Sequence, residues 1–125
     1  MNPTLNDSKP LFLQIKKQLE DSILKEAVKA GERVPSTNEF AAFYNINPAT
    51  AAKGINELVA EGILFKRRGV GMFVTDEAKK ILIMKRKQTF YENFVQPLKK
   101  EAEKLGIAES ELRDMLKEEV FVNED

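Results

Sequence analysis

Apolar residues recur at helical spacing near the start of the chain. The repeating positions, at steps of three and four, are Phe12, Ile15, Leu19 and Ile23. Such spacing places the four side chains on one face of a helix. Pro10 suits the first turn of this helix, and Asp7 and Ser8 precede it as candidate caps. We therefore predict a helix from Pro10 to about Val28.

Two further helices are predicted in close succession, joined by a tight turn. The first opens with a capping box, in which the Ser36 hydroxyl accepts from the Glu39 amide and the Glu39 carboxylate reaches back. Asn45 lies where the turn requires a positive φ, which asparagine tolerates. The inner side of this helix is predicted to consist of Phe40, Ala41 and Phe43.

The second of these helices has its own start and stop signals. Asn47 is the predicted N-cap and Pro48 the first helical residue, while Gly62 marks the end. The apolar stripe that turns this helix towards the core is Ala51, Ile55, Leu58 and Val59. The short turn between the two helices predicts a helix-turn-helix.

A β-hairpin is predicted directly after it. Residues 63–67 and 72–75 are short β-prone runs that flank Arg68, Gly69, Val70 and Gly71. A helix-turn-helix followed by a basic, glycine-tipped hairpin is a winged helix. The predicted fold class is thus mainly α with a small β-hairpin, and the winged helix occupies residues 1–75.

From Asp76 onward the pattern is helical, and residues 76–125 are predicted to form a two-helix arm. Pro97 predicts a bend rather than a stop, and Gly106 ends the first helix. A last helix begins near Ser110, and residues 123–125 should fray. The apolar positions of the arm are Ile81, Leu82, Phe90, Phe94, Leu98, Ala102, Leu105, Leu112, Met115, Leu116 and Val120.

Composition narrows the function classes. The 125 residues include no cysteine and no histidine, which removes thiol nucleophiles, disulfides, the common zinc sites and the usual general base. No catalytic or nucleotide-binding motif is present, so we predict neither an enzyme nor a cofactor or metal site. No apolar run approaches the roughly 18 residues of a membrane span, and no signal peptide is visible. We expect a cytoplasmic protein without membrane contact.

The net charge of zero means that nucleic-acid binding would depend on local patches rather than on a global field. In a helix-turn-helix, the N-terminal residues of the second helix reach base edges. Here they include Ala49, Thr50 and Lys53. The alternative is that these residues form the solvated face of an ordinary core helix.

The hairpin supplies a second candidate contact. Gly69 and Gly71 remove side chains where a hairpin would approach a sugar-phosphate backbone, and Arg67 or Arg68 could follow it into a minor groove. The alternative is that the glycines serve only the turn geometry. Strand alternation also means that the two arginines cannot both point the same way, so one can pack its stem on the sheet.

The apolar stripe of the arm also has two interpretations. It could fold back onto the winged helix, or it could pair with a second copy of the chain. We favour a homodimer, because paired helix-turn-helix units gain affinity by reading two half-sites. The predicted dimer interface is Ile81, Leu82, Phe90, Phe94, Leu98, Leu105, Leu112, Met115 and Leu116. The lysines at the base of the arm, among them Lys79 and Lys85, are interpreted as a solvated face.

Four motifs in order resemble the GntR family of bacterial transcription regulators. They are Pro10-Leu11-Phe12-Leu13-Gln14-Ile15, Gly31-Glu32-Arg33-Val34-Pro35-Ser36, Asn47-Pro48-Ala49-Thr50, and Arg67 to Val74. The resemblance covers about the first three-fifths of the chain. The short remainder is similar to the arm of the small YtrA subfamily, which dimerises.

This resemblance implies DNA contacts from Ser36, Thr50, Lys53, Arg67 or Arg68, and Gly69. The full set of predicted DNA-binding residues also includes Thr37, Asn38, Asn47, Ala49 and Gly71. Two features depart from the family pattern. Asn38 stands where arginine is usual. The second helix of the helix-turn-helix, which we call the recognition helix, carries the small residues Ala49, Ala52 and Gly54.

We therefore predict a sequence-specific transcription regulator, a homodimeric repressor that binds a palindromic double-stranded DNA operator. The alternative is a winged-helix protein-interaction module with little or no DNA binding, which the neutral charge and Asn38 would suit. The sequence identifies neither the operator nor a small-molecule effector.

Overall fold

A computed structural model describes residues 9–117 of the chain. Its elements, in chain order, are helix α1 (Leu11–Leu24), strand β1 (Arg33–Val34), helices α2 (Thr37–Tyr44) and α3 (Pro48–Ala60), strands β2 (Leu64–Arg67) and β3 (Gly71–Val74), helix α4 (Ala78–Phe90), a π-helical turn (Tyr91–Val95), and helices α5 (Gln96–Lys104) and α6 (Glu109–Lys117). The predicted fold class, mainly helical with a small β element, is confirmed. The candidate caps Asp7 and Ser8, the apolar Val120 and the fraying residues 123–125 lie outside the described residues.

The chain forms two compact units, one ending at Lys85 and the other beginning at Arg86. The sequence placed this division after Thr75, at the end of the hairpin. The difference arises because α4 begins inside the first unit: Ala78 and Leu82 are buried there and belong to the same hydrophobic core as α1 and α3. The helix leaves that core only after its second turn.

The core of the first unit is built from one face of each helix and the inner face of the sheet. Its fully buried large side chains are Ile15, Ile55, Leu58, Ile63, Leu64, Leu82, Val34 and Val74. The predicted stripe of α3 is largely confirmed, with Ala51, Ile55 and Leu58 buried and Val59 packed against the cluster. Removal of this apolar surface from water is the main force that holds α3 in place.

Helix α1 ends at Leu24, earlier than the predicted Val28. The chain turns because Glu26 adopts a left-handed conformation with φ 62°, and the Ser22 carbonyl then accepts from the Ala27 amide at 2.9 Å. Glutamate rarely takes this conformation, so no residue type at this position signals the end of the helix. Glu26 also forms an exposed ion pair with Lys79.

The hairpin is part of a three-stranded antiparallel sheet of order β1-β3-β2. The sequence predicted the hairpin but not β1, whose two residues pair with Phe73 and Met72. Val34 on β1 is buried beside Leu64 and Val74, which closes the inner face of the sheet.

Phe43 was predicted on the inner side of α2, but its side chain is 60% exposed. The short helix presents Phe40, Ala41 and Tyr44 to the core, and Phe43 lies on the flank of that face. Its ring packs edge-on against Tyr44 at a centroid distance of 5.1 Å.

The second unit contains the end of α4, the π-helical turn and helices α5 and α6. Helical structure continues past Pro97, as predicted, with Pro97 in the first turn of α5 and the π-helical turn just before it. Gly106, with φ 69°, follows the end of α5. No helix in residues 9–117 combines the length and apolar character needed to cross a membrane.

Candidate nucleic-acid interface

Helices α2 and α3 are joined by a turn whose geometry is set by two asparagines. Asn45 ends α2 in the left-handed conformation, with φ 57°, as its position in the sequence predicted. Asn47 caps α3, and its side-chain oxygen accepts from the Ala49 amide at 2.7 Å. Pro48 occupies the first helical position, where its missing N–H leaves no bond unmade. These signals produce the predicted helix-turn-helix.

The start of α2 has the predicted capping box. The Glu39 amide donates to the Ser36 hydroxyl at 3.1 Å, and the Ser36 amide donates to the Glu39 carboxylate at 2.7 Å. The bond from the Ser36 backbone, with the Arg33 guanidinium nearby, lowers the pKa of Glu39. Thr37 is half-buried and Asn38 is exposed in this first turn.

The outward face of α3 begins with Ala49, Thr50 and Lys53. Ala49 and Lys53 are exposed and Thr50 is half-buried, and together they border a shallow depression whose other wall is Leu11 and Phe12 of α1. The Lys53 ammonium lies over the Phe12 ring, 4.1 Å from its centroid, a distance at which the ring attracts a cation. The structure thus places the cation of Lys53 beside the N-terminal end of the recognition helix.

The hairpin has distinct inner and outer faces. Phe65 pairs with Phe73 and Arg67 with Gly71, so these residues share the outer face. The rings of Phe65 and Phe73 stack at 5.8 Å, and the Arg67 guanidinium lies 5.5 Å from the Phe73 ring centroid. Of the two arginines, Arg67 is therefore the one that packs on the sheet.

Arg68 lies at the hairpin turn and is exposed, as is Lys66 before it. Within the part of the chain that the structure describes, neither takes part in an ion pair, so both charges are free to meet phosphate. The turn closes through a 2.9 Å bond from the Val70 amide to the Arg67 carbonyl, with Gly69 at φ 74°.

Gly71 has a packing role as well. A Cβ added there would lie 2.8 Å from Nε of Arg33, and the residue has φ 145°. A side chain at this position would displace Arg33 from the outer face of the sheet.

A group of charged residues that the sequence did not reveal joins three helices. We call it the ionic cluster; it consists of Lys16 and Glu20 of α1, Glu57 of α3, Glu61 directly after α3, and Lys85 of α4. The Lys16 ammonium lies 3.0 Å from Glu57 and 2.5 Å from Glu61, and the Lys85 ammonium lies 2.7 Å from Glu20 and 3.1 Å from Glu61. The interpretation of Lys85 as part of a solvated face was therefore wrong.

Burial and hydrogen bonding together shift the pKa values of Lys16 and Glu61 in the ionic cluster. Lys16 and Glu20 are only 8% and 4% exposed. Desolvation is the largest single influence on Glu61 and favours its neutral form, but hydrogen bonds from Lys16 and Lys85 outweigh it and lower its pKa. Desolvation of Lys16 is likewise outweighed by its bonds to Glu61 and Glu57, so the pKa of Lys16 is raised. The sequence signal was weak, because Lys16 and Glu20 have opposite charges at i,i+4 spacing but the partners observed in the structure lie far apart in the chain.

The residues predicted to form a dimer interface divide between the two units. Leu82 is fully buried in the core of the first unit, so the structure corrects its assignment to the interface. Ile81 is partly buried and packs against the same core. In the second unit the apolar side chains are largely uncovered. Phe90, Phe94, Leu98, Leu105 and Leu116 are 57%, 64%, 40%, 64% and 73% exposed, and Leu112 and Met115 are partly exposed.

A helix-turn-helix with a three-stranded sheet and a basic, glycine-containing hairpin tip defines the class of winged-helix DNA-binding regulators. The family is identified by similarity to known proteins. The model of the family "Bacterial regulatory proteins, gntR family" matches residues 11–74. The chain therefore belongs to the GntR family, and it is a DNA-binding transcriptional regulator.

Individual relatives agree over most of the chain. The HTH-type transcriptional repressor YtrA of Bacillus subtilis is 32% identical over 89% of this chain and 85% of its own length. A GntR family transcriptional regulator from Listeria monocytogenes has a similar structure, with a TM-score of 0.76 at 28% identity over 90% of this chain and 97% of that one. The DNA-binding domain of AraR in complex with operator ORX1 matches 60% of this chain and 92% of that chain, with a TM-score of 0.52 at 25% identity.

Proposed function

We propose that this regulator is a homodimeric repressor that binds a two-fold symmetric DNA operator. The observation that carries the proposal is the uncovered apolar surface of the second unit, where Phe90, Phe94 and Leu98 follow one another at steps of four. Large apolar side chains in such an arrangement stabilise an association when a second copy covers them, at about 25 cal/mol per Å² removed from water.

The residues proposed for the dimer interface are those of the second unit alone: Phe90, Phe94, Leu98, Leu105, Leu112, Met115 and Leu116. The rings of Phe90 and Phe94 already contact each other at a centroid distance of 5.6 Å. A partner helix laid along this face would bury both rings together. Isologous pairing of identical faces produces the two-fold symmetry that a palindromic operator requires.

DNA contacts are proposed for three groups of residues. The first turn of α2 offers Ser36, Thr37 and Asn38, and the first turns of α3 offer Asn47, Ala49, Thr50 and Lys53. The hairpin offers Arg67, Arg68, Gly69 and Gly71. The structure of a related DNA-binding domain with its operator supports a DNA-facing role for this part of the fold.

Repression is proposed because it requires only that the dimer occupy its operator, and because the relative YtrA is itself named a repressor. The proposed site of action is the bacterial cytoplasm, where the operator DNA lies. We propose no enzymatic activity, because the chain belongs to a family of bacterial regulatory proteins.

The proposal is tested by binding and sedimentation together. An operator is first selected from random DNA, and its affinity is then measured as salt is varied. We expect the logarithm of the association constant to fall steeply with the logarithm of salt concentration, because phosphate contacts release counterions. A flat dependence would instead indicate a protein-interaction module.

The dimer is tested with the intact chain and with a chain truncated after Lys85. The intact chain should sediment as a dimer and prefer full operators over half-sites. The truncated chain should remain folded as a monomer, since Ala78 and Leu82 stay in its core, and should bind both DNAs equally and weakly. An intact chain that is monomeric at micromolar concentration, with no preference for full operators, would overturn the proposal.

A further inference from the structure

The ionic cluster joins the recognition helix to the helix that leads into the arm. Glu61 follows the last residue of α3 and receives both lysines, Lys16 from α1 and Lys85 from α4. Lys85 also reaches Glu20 of α1. Each of the three helices is therefore tied to the other two through charged groups.

Burial makes these ties resistant to displacement. Glu20 is 4% exposed, and Lys16 is 8% exposed. If α4 tilted away from α1 and α3, Lys85 would leave both carboxylates, and a buried charge that loses a cationic partner is strongly disfavoured. By contrast, the Lys79–Glu26 pair near the start of α4 is about half exposed on both sides and does not involve α3. Exposed pairs of that kind impose little constraint.

Lys85 lies at the point along α4 where the helix leaves the first unit. Leu82, one turn earlier, is fully buried, and Lys85 is the last residue of the first unit. The same helix continues without interruption to Phe90, where the proposed dimer face begins. The ionic cluster therefore holds α4 against α1 and the end of α3 at the last residue of the first unit.

We propose that the ionic cluster sets the distance and angle between the two recognition helices of the dimer, and thereby selects the spacing of operator half-sites. Lys85, Glu20 and Glu61 act as positioning residues that do not need to contact DNA. This inference rests on the proposed homodimer. If the ionic cluster fixes the direction of α4, then removing its ion pairs should weaken the preference for one half-site spacing. The affinity for a single half-site should stay unchanged.

The experiment compares operators whose half-sites are moved apart or together by one and two base pairs. With the wild-type protein, each such change should weaken binding by about tenfold or more, because one base pair rotates the half-sites by roughly a tenth of a turn. The contact is then removed by Lys85→Met combined with Glu20→Gln, which neutralises both members of the Lys85–Glu20 pair and leaves Glu61 with Lys16. We expect this double variant to bind all spacings within about threefold of one another, with wild-type affinity for a single half-site.

Three further variants make the result decisive. Lys79→Met alters another paired lysine of α4 and should keep the wild-type spacing preference. Lys85→Arg retains the cation and should keep most of the preference. If the double variant fails to fold, Lys85→Met alone is the readout, and it should lose the preference that Lys79→Met keeps. The inference is overturned if the folded double variant, or in its absence the folded Lys85→Met protein, discriminates spacings as strongly as the wild type. A wild-type chain that is monomeric overturns the proposed function itself, which sedimentation shows independently of the variants.

Discussion

Gly54 of the recognition helix lies so close to Phe12 that a Cβ at position 54 would be 2.6 Å from the Phe12 carbonyl oxygen. Helices α1 and α3 therefore pack at a backbone distance that only glycine allows. The obstacle is backbone rather than a movable side chain, so a larger residue would push the helices apart. The small residues of α3, which differ from the family pattern, include at least one that is required by packing.

We expect Gly54→Ala to destabilise the protein. In an exposed helix the same change would increase stability by roughly 0.5–1 kcal/mol, because alanine loses less conformational freedom. Here the clash should reverse the sign and lower the free energy of unfolding by about 1–3 kcal/mol. Urea denaturation measures the difference. Asn56→Ala, at an exposed position of the same helix, is the control and should be neutral or slightly stabilising; an equal gain from both changes would contradict the close packing.

The hairpin arginines are expected to bind phosphate rather than to read sequence. Arg67→Ala with Arg68→Ala should weaken binding to every DNA sequence and reduce the slope of the salt dependence by about 1–2 units. Circular dichroism should show an intact fold, since both residues are exposed. Lys99→Ala with Lys100→Ala removes the same charge from α5 and should leave the slope unchanged. If the two double variants behave alike, the hairpin does not contact DNA.

Asn38 is expected to be a position where affinity can be gained. Its exposed side chain lies in the first turn of α2, beside the residues of the capping box. Asn38→Arg should add a charge-assisted contact to phosphate or base, worth about 1–3 kcal/mol of binding free energy. A titration at fixed salt measures the gain, and Asn38→Gln tests whether length without charge suffices. A folded Asn38→Arg protein with wild-type affinity would mean that α2 docks differently from its relatives.

We expect the free energy of unfolding to decrease in acid because the Glu61 carboxylate becomes protonated. The pKa of this group is lowered on folding, below its unfolded value of about 4.3, so its contribution is present above that pH and is lost as the pH falls through the folded pKa. Lys16, whose pKa is raised, contributes below about 10.4 and loses that contribution as the pH rises through its folded value. The neutral range should therefore be a plateau.

The Glu61→Gln protein tests this assignment. Its free energy of unfolding should be lower at pH 7 and should fall less between pH 5 and pH 3 than that of the wild type, as followed by urea denaturation. Glu103→Gln, at an exposed carboxylate of α5, should leave the whole profile unchanged. Parallel wild-type and Glu61→Gln profiles would show that another carboxylate governs the acid limit.

Features whose signals are local in the chain could be predicted from the sequence. The capping box of Ser36 and Glu39, the left-handed Asn45 and the cap at Asn47 each depend on residues within three or four positions of one another. The hairpin tip is equally local, since its strands are joined by a few residues. These elements determine where the recognition helix and the basic turn lie, so most of the candidate interface followed from them.

Features that depend on distant pairings could not be predicted in the same way. Strand β1 exists because Arg33 and Val34 meet β3 about forty residues later, and two residues carry too little pattern to show it. The ionic cluster joins residues as far apart as Glu20 and Lys85. Leu82 shares the apolar character of the arm, and only the three-dimensional arrangement assigns it to the first unit.

The π-helical turn Tyr91–Val95 lies between Phe90 and the start of α5. Such turns are equivalent to one extra residue inserted into an α-helix, and each residue of an α-helix corresponds to about 100° of rotation. The turn therefore changes the rotation of α5 about the helix axis. As a result, Leu98 and Leu105 face a direction that they would not face in a regular helix. Deletion of one residue from this segment would leave the composition of the arm almost unchanged. It would nevertheless rotate Leu98 and Leu105 by about 100° relative to Phe90. This short stretch should consequently tolerate substitutions far better than changes in length.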